Sequence, residues 1–101
     1  MPAARQFSVN IRIDPHTLER AQERGATDSE IRDVIRSGFE ISARHGRVGK
    51  AKVYGFRQAR HNRYFEQKRV EVIYTTEEDT IITVTVYVFY GYWGPQDANP
   101  V

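Results

Sequence analysis

The chain has 101 residues, 40% of them hydrophobic and 12% aromatic, with 15 Lys and Arg against 13 Asp and Glu and no cysteine. This composition excludes a disordered, charge-dominated polymer, and the length supports one core: a single domain over residues 1–101, with a core of about 7–93 and a tail of 94–101. The lack of cysteine excludes disulfides and Cys-based zinc sites and suits a reducing cytoplasm, while no signal-like run at the start and no stretch of ~18 uncharged apolar residues predict neither secretion by that route nor a membrane span.

In chain order, Phe7 to Ile13 alternates strictly, with Phe7, Val9, Ile11 and Ile13 on one face, the pattern of a half-buried strand. Asp14 then stands at an N-cap position and Pro15 at the first helical position, which predicts a helix from Pro15 to about Arg24 closed by Gly25. Thr27-Asp-Ser-Glu30 has capping-box spacing and opens a second helix with Ile31, Val34 and Ile35 on one face and Gly38 at its end. From Glu40 to Gly49 the pattern dissolves into polar and glycine-containing residues and reads as a loop. Strands are expected over Lys50 to Phe56, part of Asn62 to Glu66, and Arg69 to Thr75. A turn over Thr76 to Thr80 then leads into Ile81 to Tyr90, read as the central strand of the sheet.

Charge is distributed unevenly along this plan. Between Arg44 and Arg69 there are nine basic residues and one acid, Glu66, which makes the segment +8 and leaves six basic and twelve acidic residues elsewhere. A segment of this kind points to a polyanionic partner, with a solvated edge that discourages sheet pairing as the structural alternative. Tyr54, Phe56, Tyr64 and Phe65 lie inside it and Tyr87, Tyr90, Tyr92 and Trp93 close the chain, so guanidinium groups and rings could share one RNA-binding surface; core packing is the competing role for any single ring. The nucleic-acid-binding candidates are Arg44, Arg47, Lys50, Lys52, Arg57, Arg60, Arg63, Tyr54 and Tyr64.

His45 and His61 sit among arginines, where a neighbouring cation favours the neutral imidazole that a general base requires. His16 stands in the first turn of the first helix, suited equally to a structural or a catalytic role. The histidine spacings match no compact metal motif, so no metal and no cofactor is expected. Phosphate-cradling glycine loops and nucleophile-elbow serines are absent, and Glu77-Glu78-Asp79 reads as a solvated turn.

His16 with Leu18 and Ala21, then Glu23-Arg24-Gly25, Thr27-Asp-Ser-Glu30-Ile31, a basic strand and a terminal hairpin with Val72-Ile-Tyr74 and Ile81-Ile-Thr83 form a longer pattern. Over about residues 14–90 it resembles a domain-of-unknown-function family grouped with the RelE/ParE-like toxins and related to BrnT. The resemblance implies an α+β fold in which an N-terminal strand and a two-helix hairpin pack on a curved, mostly antiparallel sheet. It further implies a metal-independent endoribonuclease, the toxin half of a toxin-antitoxin pair, whose partners are RNA and a cognate antitoxin protein. In that scheme Lys52 and Arg60 would be phosphate and transition-state cations, His61 or His45 the base, and Tyr87 the acid, with His16 a further catalytic candidate. The alternative is a non-catalytic module that binds nucleic acid, or a protein target such as gyrase, through the same basic surface. Converging basic and histidine side chains on one face would favour cleavage, and dispersed histidines would favour binding.

Overall fold

A computed structural model describes residues 10–95 of the chain. The elements are β1 (Asn10–Arg12), α1 (Pro15–Arg24), α2 (Asp28–Ser37), β2 (Phe39–Ile41), β3 (Val48–Arg60), β4 (Arg63–Glu77) and β5 (Thr80–Gly91). They form an α+β fold in which both helices lie on a five-stranded open sheet of order β1-β5-β4-β3-β2. β1 runs parallel to β5, and every other pair is antiparallel.

The helices follow their local signals. The Asp14 carboxylate accepts from the His16 and Thr17 amides at 2.8 and 3.4 Å, and Gly25 takes a left-handed φ of 103° that lets the chain turn back. In α2 the Thr27 hydroxyl accepts from the Glu30 amide at 3.1 Å while the Glu30 carboxylate accepts from the Thr27 amide at 3.0 Å. Ile31, Val34 and Ile35 of α2 and Ala21 of α1 bury themselves against Val70 and Val72 of β4 and Val86 of β5. Each fully buried aliphatic side chain there contributes about 1.5–3 kcal/mol. Ile11 and Ile13 also pack on this core, as their alternation predicts; Phe7 and Val9, and the tail beyond Pro95, lie outside the described residues.

The sheet departs from expectation in four places. The segment read as a loop from Glu40 to Gly49 holds most of β2 and the first two residues of β3; β2, with two exposed residues and one half-buried, is too short to show a period. β3 extends past Phe56 to Arg60 through a bulge between Gly55 and Gln58, where Arg57 adopts φ 50°. The two short strands expected around Asn62–Glu66 and Arg69–Thr75 are one continuous strand, β4. That strand, not Ile81–Tyr90, is the middle of the sheet. At ~3.3 Å per residue its length matches the longest dimension of the molecule, 47 Å.

The hairpins turn on residues with positive φ. His61 and Asn62, at 53° and 65°, join β3 to β4 in a two-residue turn; His45 and Gly46, at 61° and 72°, make the tight turn before β3, closed by the Arg47 amide on the Arg44 carbonyl. Two of the three histidines are therefore turn corners, and 13-residue β3 lies between them.

Candidate nucleic-acid interface

An α-helix leaves its last carbonyls without internal partners, and its C-terminus carries partial negative charge, so both invite donors. At the end of α1 the sheet supplies three. The Arg60 guanidinium donates to the Glu23 carbonyl at 3.0 Å, the Tyr90 hydroxyl to the Arg24 carbonyl at 2.6 Å, and the Lys68 ammonium to the Gly25 carbonyl at 2.9 Å. Lys68 also pairs with Glu30 at 2.9 Å, which joins this clasp to the capping box of α2. The Phe56 and Phe65 rings close on Tyr90 at 5.0 and 5.5 Å, and Arg60 lies 5.0 Å over the same ring. Burial, partly opposed by the Arg60 charge, pushes the Tyr90 phenol up, so it remains a donor. The clasp fixes the distal β3–β4 hairpin against the helices.

Beyond the clasp, β4 continues past the end of β5 and the hairpin forms an arm. Arg57, His61, Arg63 and Tyr64 are exposed along it, and Arg63 lies 5.6 Å from the Phe65 ring. A groove of about 310 Å³ opens where β5 stops, lined by Arg63, Tyr64, Phe65, Glu66, Gly91 and Tyr92. Its rings Tyr64 and Tyr92 are 58% and 62% exposed, so their faces are open to a stacking ligand. Phe65 and Tyr92 are among the rings weighed from sequence for an RNA surface but not among the nucleic-acid-binding candidates; the β4–β5 register, which pairs Gln67 with Gly91, brings them beside Tyr64.

The other candidates are placed elsewhere. Lys52 faces α2, where its ammonium meets the Asp33 carboxylate at 2.8 Å and the Ser37 hydroxyl at 2.9 Å, and the Tyr54 hydroxyl donates to Asp33 at 2.6 Å. Hydrogen bonds from Lys52 and Tyr54 hold the Asp33 carboxyl below its ordinary range; burial, then Asp33, push the Tyr54 phenol far above its own. Lys50 shares this helix-side parity on β3. Arg44, His45 and Arg47 sit at the turn before β3, about 40 Å of strand away from His61 at ~3.3 Å per residue. His16 lies at the start of α1 beside Val84 to Val86 of β5, and Tyr87 is 44% exposed on the sheet face opposite the helices. The structure thus brings Arg57, Arg60, His61, Arg63 and Tyr64 together and disperses Lys52, His45, His16 and Tyr87.

Among the described residues no group of three or more His, Cys, Asp or Glu side chains is placed to hold a metal ion, and no helix is long and apolar enough to cross a membrane. No curated protein and no solved structure is significantly similar to the chain. Residues 13–88, from the end of the first strand through most of β5, match the family described as Domain of unknown function (DUF4258), and the chain belongs to that family.

Proposed function

We propose that this domain is a binding module that holds single-stranded RNA on the β3–β4 arm. The observation that carries the reading is the joining of Arg57, Arg60, His61 and Arg63 with the exposed rings of Tyr64 and Tyr92 at one end of the molecule. Cations neutralise phosphates, and open tyrosine faces stack on unpaired bases that a duplex would keep hidden.

A second reading, metal-independent RNA cleavage by the toxin half of a toxin-antitoxin pair, has one specific support: His61 stands between Arg60 and Arg63, where an imidazole base and transition-state cations would lie on the same ligand. Lys52, which the RelE/ParE-like resemblance would make a transition-state cation, is instead tied to Asp33.

Fluorescence anisotropy with a short labelled single-stranded RNA, repeated across salt concentrations, tests the first reading. Arg57→Ala with Arg63→Ala should lower the slope of log affinity against log salt by about 1.4, at ~0.7 for each phosphate left without its cation. Tyr64→Ala should weaken binding roughly tenfold or more with little change in slope. Wild-type affinity in both variants would remove the arm as the interface. Gel analysis of the same RNA separates the readings: fragments that vanish in His61→Ala support cleavage, and intact RNA supports binding.

A further inference from the structure

Both helices cover one face of the sheet, the face of Val70, Val72 and Val86. The β-ladder registers define what the opposite face carries. One row across the strands reads Phe39, Ala51, Glu71 and Tyr87; the next reads Val53, Arg69 and Phe89. Ala51 and Val53 of these rows are buried, and the Trp93–Gly94 segment is hydrogen-bonded to Gln67 in the adjoining row, so what lies open is Phe39, Tyr87 and Phe89, 40%, 44% and 46% exposed, with Tyr87 stacked beside Phe89 at 6.3 Å. The ionised groups of these rows are Arg69 and Glu71, paired at 2.8 Å with side chains only 22% and 19% exposed, and Arg69 also covers the Phe39 ring at 5.2 Å. Their charges cancel, so this face offers no field to a polyanion and differs in kind from the arm.

We infer that this face is a self-association surface whose occupant is a second copy of the same chain. The patch is complementary to itself. A two-fold axis running across the strands, midway between the two rows, lays each row on the other row of the second copy. Arg69 then meets Glu71 of the second copy and Glu71 meets its Arg69, which converts one ion pair into a closed ring of four alternating charges. The same rotation sets Phe89 on Tyr87 of the second copy. An isologous interface demands this property, that each patch complement itself. The result is two sheets packed face to face about 10 Å apart with the helices outside.

The size of the patch sets the strength. Four strands ~4.8 Å apart and the two rows that the axis superposes cover on the order of 250 Å² per copy, or about 500 Å² for the pair. That falls well below the ~1,200 Å² of standard specific interfaces, so the dimer is weak and forms only at high protein concentration.

Sedimentation velocity of the full chain, from low micromolar to several hundred micromolar, should show a concentration-dependent shift from monomer to dimer. Arg69→Glu places two acids on the face and Glu71→Arg places two bases there, so each variant alone should stay monomeric. An equimolar mixture should dimerise at least as tightly as wild type, because acids now face bases across the axis. Circular dichroism checks that both variants fold; if either does not, Phe89→Glu, which alters an exposed ring and leaves the ion pair intact, should by itself raise the dissociation constant tenfold or more. A wild type that stays monomeric at several hundred micromolar overturns the inference. So do single variants that dimerise like wild type, or a mixture of folded variants that does not associate.

Discussion

Gly25 and Tyr90 form the most testable contact in the clasp. A β-carbon on Gly25 would run into the Tyr90 hydroxyl and come within 3.3 Å of the Arg60 guanidinium, and the residue sits at φ 103°. Gly25→Ala therefore carries two costs. The left-handed backbone costs about 1 kcal/mol for a residue with a β-carbon. Displacing the phenol removes its 2.6 Å hydrogen bond to the Arg24 carbonyl, about 1–1.5 kcal/mol. The single substitution should thus destabilise by about 2–3 kcal/mol, or roughly 10–20 °C in Tm for a domain of this size. Tyr90→Phe should cost about 1–1.5 kcal/mol through loss of the same bond. The decisive quantity is the double variant: with the hydroxyl already gone, Gly25→Ala should cost only the backbone term, leaving a coupling of about 1 kcal/mol. Urea denaturation of the four proteins measures it. Additivity within ~0.3 kcal/mol would show that Tyr90 and the end of α1 are not engaged with each other.

Two further predictions concern α2 where it meets β3. Because hydrogen bonds hold the folded-state pKa of Asp33 below its ordinary 3.8, its contribution to stability is present above that value and is lost as pH falls through the depressed one. The urea midpoint of wild type should consequently fall more steeply below about pH 4 than that of Asp33→Asn, and parallel acid limbs would refute the Lys52–Asp33–Tyr54 network. At Gly38, an added β-carbon would lie 2.5 Å from the Val34 carbonyl oxygen and 2.6 Å from that of Ala51, both backbone atoms that cannot swing aside. Gly38→Ala should therefore cost about 1–3 kcal/mol although its φ of −76° suits any residue, and an unchanged thermal midpoint would contradict this packing.

What could be read from the residues was what local chemistry decides. Asp14, Gly25, Thr27 and Glu30 mark helix ends because a cap satisfies backbone groups within a few residues of itself, so the spacing alone predicts it. The sheet is decided at longer range. β2 is three residues long and is held in place by pairing with β3, while the parallel contact of β1 with β5 joins residues about 70 positions apart. The basic residues were legible as charge and illegible as geometry. Alternation separates Lys52 from Val53, but which of them faces the helices depends on the side of the sheet where α2 lands. Arg60 reaches the end of α1 on the far side of a bulge at Arg57 whose one signal in the sequence is Gly55 at its start.

This division changes what the +8 segment means. Lys52, Lys68 and Arg69 each neutralise a carboxylate, and Arg60 caps a helix, so nearly half of the nine cations serve the fold. The remainder separate into Arg44 and Arg47 at one end of β3 and Arg57 and Arg63 about the other, with Lys50 nearer the first. A strand of ~40 Å exceeds the ~8 Å Debye length at physiological ionic strength several times over, so the two clusters do not add their fields. A polyanion approaching the arm meets Arg57 and Arg63, with the clasped Arg60 behind them, and gains nothing from the distant turn. On the proposed RNA-binding reading the rings must then supply much of the affinity, with Tyr64 and Tyr92 beside Arg63, where phosphate and base of one nucleotide could be held together.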